Sequence, residues 1–108
     1  MLVDSHCHLD FPELAQGLPS ILTRMSDNGV GHALVVAVSK PEWARIRELV
    51  APHDHLHASV GVHPDYPDTE EPTEDELVEA ARDPKIVAIG ETGLDYYRGE
   101  EPFEWQRN

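Results

Sequence analysis

The sequence predicts an α/β fold built on a parallel sheet, and two observations carry that prediction. Four short apolar runs recur at intervals of about 25 to 30 residues, with a helix-period pattern in each interval. One run, Ala33 to Val38, is apolar without a break, as expected of a strand covered on both faces.

Taken in order, the first strand is Leu2-Val3-Asp4. Leu18, Ile21, Leu22 and Met25 then repeat with the spacing of an amphipathic helix, which Asn28-Gly29 ends. The second strand is Ala33 to Val38. Ser39 and Glu42 stand at capping-box spacing before a helix whose apolar face is Trp43, Ile46, Leu49 and Val50, closed by Pro52. The third strand runs from Leu56 to Val62. Thr73 and Glu76 form a second capping box, opening a helix expected to bury Leu77, Ala80 and Ala81. The fourth strand is Ile86 to Ile89, and Phe103 and Trp105 are expected to begin a fourth helix that stops at Asn108. Strands that alternate with helices in this way pair in parallel through right-handed crossovers. Four strands are half of a TIM-like (β/α)8 barrel, whose usual length is about 250 residues. The expected architecture is therefore one domain, residues 1–108, comprising the first four βα units of such a barrel, the last incomplete.

Composition narrows the function. No apolar stretch approaches the roughly 20 residues that cross a bilayer, so no membrane partner is expected. The N-terminus lacks a basic segment leading into a long apolar one, and Cys7 is the sole cysteine, which together point to a reducing cytoplasm. The net charge is −13, and eight carboxylates fall between Asp65 and Glu79 with no basic residue among them. That cluster reads as a solvated loop and helix face rather than a cation site. Such a field repels nucleic acid at long range, so a phosphate substrate has to be held by metal and by local donors.

Chemistry-bearing residues gather where strands end. His6 and His8 follow the first strand and, at period two, share one face with Asp4. Gly61-Val62-His63-Pro64 follows the third, and Gly90-Glu91-Thr92-Gly93-Leu94-Asp95 the fourth. In a parallel sheet these ends form one rim, where ligands bind. Two imidazoles and a carboxylate supply mixed N/O ligands for a divalent metal such as zinc, manganese or magnesium. Gly90 and Gly93 are expected to let the backbone turn around Glu91.

The segments Asp4-Ser5-His6-Cys7-His8-Leu9-Asp10, Val60-Gly61-Val62-His63-Pro64 and Ala88-Ile89-Gly90-Glu91-Thr92-Gly93-Leu94-Asp95-Tyr96-Tyr97 resemble the N-terminal signatures of the TatD family. These are metal-dependent hydrolases, mostly deoxyribonucleases, related to the amidohydrolase barrels. The resemblance implies that His6 and His8 bind one metal, that Glu91 reaches one or both of two metals, and that His63 lies near the scissile phosphate. It also implies four further strands carrying two histidines and an aspartate, so that this chain resembles the N-terminal half of such an enzyme. DNA is then the expected substrate, with little or no activity from the half alone. The open half is expected to self-associate or to pair with a complementary C-terminal half, because its strand edges and lumen side are uncovered. Hydrolysis of an ester, lactone or amide by a related barrel, and a non-catalytic half-barrel, are the rival readings.

Other residues read more plainly. His53, His55 and His57 belong to a solvated turn at the opposite rim. Cys7 packs as a small apolar group. Asp4 and Asp10 are candidates to support the ligands, Asp10 equally to cap a turn. Asp95 is expected to orient the Glu91 loop, Tyr96 and Tyr97 to pack, and Arg98 to lie on the surface or meet a phosphate.

Overall fold

A computed structural model describes residues 1–107 of the chain. Four strands, β1 (Leu2–Cys7), β2 (Val30–Val35), β3 (Leu56–Val60) and β4 (Ile86–Ile89), form one sheet in sequence order, and every neighbouring pair is parallel. The helices are α1 (Pro12–Ala15), α2 (Leu18–Asp27), α3 (Trp43–Val50) and α4 (Glu74–Ala80), with 3-10 turns at Lys40–Glu42 and Glu104–Arg107. The fold is the α/β half-barrel that the apolar spacing predicts.

The core lies between the sheet and the helices. Ala33, Val35, Leu56 and Ala58 from the strands meet Ile46 and Val50 of α3, and all are at most 2% exposed. Leu18, Ile21, Leu22 and Met25 of α2 pack against the same cluster, as their spacing requires. Gly29 follows the end of α2 at φ +74, a conformation that favours glycine. At α4, the Thr73 Oγ1 accepts from the Glu76 backbone N–H at 3.2 Å, while Glu76 Oε2 accepts from the Thr73 N–H at 2.8 Å. Glu42 Oε2 likewise accepts from the Ser39 N–H at 3.2 Å before α3.

Several expectations are corrected. β1 continues to Cys7, which places His6 inside the strand and His8 just beyond it. β2 begins three residues before Ala33 and leaves the ladder after Val35, although Val36, Ala37 and Val38 stay buried. Unbroken apolarity reports burial, and here burial outlasts strand pairing. β3 ends at Val60, not Val62. α4 buries nothing fully: Leu77 and Ala80 are half-covered and Ala81 is the exposed C-cap. The expected fourth helix is a single 3-10 turn over Glu104–Arg107, and Asn108 lies outside the described residues. The short α1, opened by Pro12 in its first turn, was not among the expected elements.

The sheet face turned away from the helices is open. Val87 and Ile89 on β4 are 57% and 48% exposed, and Leu2 on β1 is 63% exposed. Alternation explains β4, where Ile86 and Ala88 face the helices and the intervening residues face the would-be lumen.

Ion pairs tie the helices to the loops, and they set an acid limit. Arg47 of α3 pairs with Asp83, whose Oδ1 also accepts from the Lys85 N–H at 2.9 Å. Lys40 Nζ bridges Glu70 and Glu76 at 2.7 Å each. The Arg47 contact holds the Asp83 carboxyl below its ordinary 3.8, and Lys40 holds Glu76 below its ordinary 4.5. Depressed carboxylate pKa values stabilise the fold above the ordinary values, and that contribution is lost as pH falls through the depressed ones. Thermal melts should therefore show Tm dropping below about pH 4.5, and Asp83→Asn should flatten this dependence while lowering Tm at neutral pH. An equally steep profile in the variant would remove Asp83 from the account.

Candidate metal centre

Three strand ends bring His6, His8, His63 and Glu91 together. Glu91 is the hub. Its Oε2 lies 3.2 Å from His6 Nε2 and 3.8 Å from His8 Nε2, and its Oε1 lies 3.4 Å from His63 Nε2. One ligand atom each from His6, His8 and Glu91 falls within 4.8 Å of the others, and this is the one such group among the described residues. Two imidazole nitrogens and a carboxylate oxygen are a donor set that suits a divalent cation, so the residues present fit the metal that the sequence implies.

The backbone sorts the histidines by tautomer. His8 Nδ1 lies 3.1 Å from the Val36 carbonyl, so Nδ1 carries the proton and Nε2 keeps a free lone pair for a cation. His63 Nδ1 instead accepts from the Asp65 N–H at 3.0 Å. Its proton then sits on Nε2, directed at Glu91, which suits a hydrogen-bond donor rather than a ligand. The sequence alone does not separate these two roles.

The segment that follows β2 positions all three groups. Val36 O holds His8, Ala37 O accepts from the Glu91 N–H at 2.9 Å, and Val38 O accepts from the His63 N–H at 2.8 Å. Three successive carbonyls thus fix residues from three different strand ends. Ser59 completes the frame from β3. It is 1% exposed, accepts from the Ala37 N–H at 3.0 Å, and donates to the Gly90 carbonyl at 2.7 Å. Sequence reasoning missed Ser59; its signal was a lone polar residue inside a buried strand, which must find partners. The crowded glycine is a third one. Gly93 does use its freedom, at φ +130, but a Cβ on Gly90 would meet nothing within 4 Å. The close approach is at Gly61, where a Cβ would lie 2.6 Å from the Gly90 carbonyl carbon and oxygen.

The supporting carboxylates act on the backbone and on α3, not on the imidazoles. Asp4 Oδ1 accepts from the His6 backbone N–H at 3.1 Å. Asp10 is buried, and its Oδ2 accepts from Arg45 of α3 at 3.0 Å, anchoring the turn after His8. Asp95 holds the turn that follows it, its Oδ1 accepting from the Tyr97 and Arg98 N–H groups at 2.9 and 3.1 Å. Tyr96 packs beside Phe103, whereas Tyr97 is 93% exposed and packs on nothing. Cys7 turns away from the histidines into the core, donating to the Leu34 carbonyl, and burial pushes its thiol up to about 11. It is a packing residue without thiolate character. His53, His55 and His57 sit at the other rim, half-buried rather than fully solvated. Burial first, then the charges of Lys85, His32 and His55, lower the pKa of His57.

The family model described as "TatD related DNase" matches residues 3–108. The chain belongs to that family. It is 39% identical to the metal-dependent hydrolase YcfH of Escherichia coli strain K12, over 89% of this chain and 37% of that protein. Against the metal-dependent hydrolase YjjV of the same strain the identity is 33%, over 97% of this chain and 42% of YjjV. The 3'-5' ssDNA/RNA exonuclease TatD of Escherichia fergusonii is 32% identical over 98% of this chain and 42% of that enzyme. The crystal structure of YjjV superposes with a TM-score of 0.82 and 34% identity, covering 98% of this chain and 42% of that one. The TatD-family chain described here thus spans about two fifths of the relatives it matches. Among the described residues, no helix is long and apolar enough to cross a membrane.

Proposed function

We propose that this chain is the metal-bearing part of a TatD-type hydrolase that cleaves phosphodiester bonds of DNA. The observation that carries the reading is the convergence of His6, His8 and Glu91 on one point from two strand ends 85 residues apart. The Escherichia fergusonii relative is a 3'-5' ssDNA/RNA exonuclease, which supports the choice of a nucleic acid as substrate.

In this proposal His6 and His8 present Nε2, and Glu91 presents Oε2, to a divalent metal (zinc, magnesium or manganese). The whole protein would hold two such ions, with Glu91 reaching one or both. A divalent cation held there would supply positive charge to a phosphodiester and to the attacking water. His63, with its proton on Nε2, donates a hydrogen bond to a phosphate oxygen. Its imidazole is placed for this by the Asp65 N–H and by Val38 O. A reducing cytoplasm is part of the same proposal, consistent with one unpaired thiol.

The test compares metal-dependent release of nucleotides from single-stranded DNA with hydrolysis of a simple ester, using the complete protein that carries this segment. DNA hydrolysis that chelation abolishes and His6→Ala removes is the expected result. Ester turnover without DNA turnover would favour the rival reading of a related barrel hydrolase. The isolated 108 residues are expected to show little activity.

We also propose that the open sheet face is covered by a complementary half-barrel in the whole protein. Support comes from the exposed Leu2, Val87 and Ile89, and from the match to only 42% of the YjjV chain. Alone, the 108 residues should self-associate at micromolar concentration. A sharply melting monomer by sedimentation and calorimetry would count against that.

A further inference from the structure

One groove joins the metal cluster to two side chains that the proposed mechanism does not use. His8, His63, Glu91, Asp65, Tyr66 and Arg98 all line it. Among the described residues, Arg98 is the one basic side chain in that lining, in a chain of net charge −13. Its position is fixed from below. Gln106 accepts from the Asp95 N–H and donates to the Asp95 carbonyl, both at 2.7 Å, and Asp95 Oδ2 holds one guanidinium nitrogen of Arg98 at 2.9 Å. The guanidinium keeps further donors, and the Arg98 side chain is 62% exposed. Tyr66 stands at the same groove, 42% exposed, with its ring edge-on to His63 at 5.8 Å between centroids.

We infer that Arg98 and Tyr66 form a nucleotide subsite beside the metal cluster, Arg98 binding the phosphate and Tyr66 stacking on an unpaired base. This rests on the phosphodiester reading and names the two side chains that would hold the nucleotide next to the scissile bond. Two physical arguments support it. A strongly acidic protein needs a local cation to hold a polyanion, and a guanidinium already oriented by a carboxylate binds a phosphate oxygen with little further ordering. An exposed aromatic ring next to that cation is how proteins grip unpaired bases, because stacking needs a free base face. Asp65 in the same groove opposes the phosphate, so binding requires the divalent cation to be present. Had Arg98 only stapled its loop to Asp95, its removal would lower thermal stability and leave nucleic-acid binding alone.

The experiment measures binding of tetrathymidylate to the complete protein that carries this segment by fluorescence anisotropy across a salt series, with manganese and with chelator. Arg98→Gln should weaken binding about tenfold or more and reduce the salt slope by about one. Tyr66→Ala should weaken it by a similar factor with the slope unchanged. A blunt duplex of matched length should compete poorly, chelator should abolish binding, and manganese affinity should be the same in both variants as in the parent. If the parent binds tetrathymidylate and Arg98→Gln binds it equally, with the same slope, the subsite is wrong and the phosphodiester reading stands. If the parent binds manganese but no tetrathymidylate, the phosphodiester reading falls and the subsite with it.

Discussion

Glu91→Gln is expected to lower the affinity of the chain for zinc or cobalt by at least about 100-fold, beyond the roughly 10- to 100-fold that losing a supporting hydrogen bond costs a metal site. The substitution keeps the shape and removes the charge. Glu91 is the group that His6, His8 and His63 all face, at 3.2, 3.8 and 3.4 Å. Two neutral imidazoles without a carboxylate leave a dication poorly neutralised. The backbone bond from the Glu91 N–H to Ala37 is untouched, so the fold should survive, and a thermal melt run alongside verifies that. Cobalt absorption titrations provide the measurement, since d–d bands report both affinity and ligand number. An unaltered titration in the variant would mean that the carboxylate is not a ligand and that the convergence on it is only electrostatic.

Gly61→Ala is expected to destabilise the fold by about 1–3 kcal/mol or more and to weaken metal binding, although the residue touches no metal ligand. The added methyl would sit 2.6 Å from the Gly90 carbonyl carbon and oxygen and 2.9 Å from its nitrogen. All three are backbone atoms, so no flexible side chain can yield. Relief requires moving Gly90, which is held by the Val60 carbonyl and by Ser59, and Glu91 follows it. Chemical denaturation gives the stability change, and the same cobalt titration gives the binding change. Loss of stability with intact metal affinity would show that the strand end can shift without carrying Glu91 along.

Much of the fold was legible because the parallel sheet writes itself into the sequence. β4 was read to the residue, and both capping boxes form, since Ser39–Glu42 and Thr73–Glu76 act locally. The ends of β2 were not legible. Val36, Ala37 and Val38 are buried like strand residues, yet the Ala37 N–H bonds the hydroxyl of Ser59 on β3 instead of that strand's backbone. The start of β2 was hidden for the opposite reason, because Val30 and His32 pair with β1 on either side of a glycine, without looking like a strand. At the site, His6, His8 and Glu91 announced themselves by residue type, at ends that parallel topology brings together. Their fixtures did not. Ser59, Arg45 and Gly61 matter through contacts that join residues 20 to 35 apart, and no local pattern encodes those.

The three carbonyls of Val36, Ala37 and Val38 make the site a product of main chain rather than of side chains. Interchangeability follows. Any apolar residues that fit the same space at these positions would present the same oxygens to His8, Glu91 and His63. Drift in this segment can therefore proceed freely in sequence while the chemistry above it stays in register. An engineer can likewise repack positions 36 and 37 for stability without retuning the centre. In this protein the most exacting part of the scaffold is the part whose side-chain identity matters least.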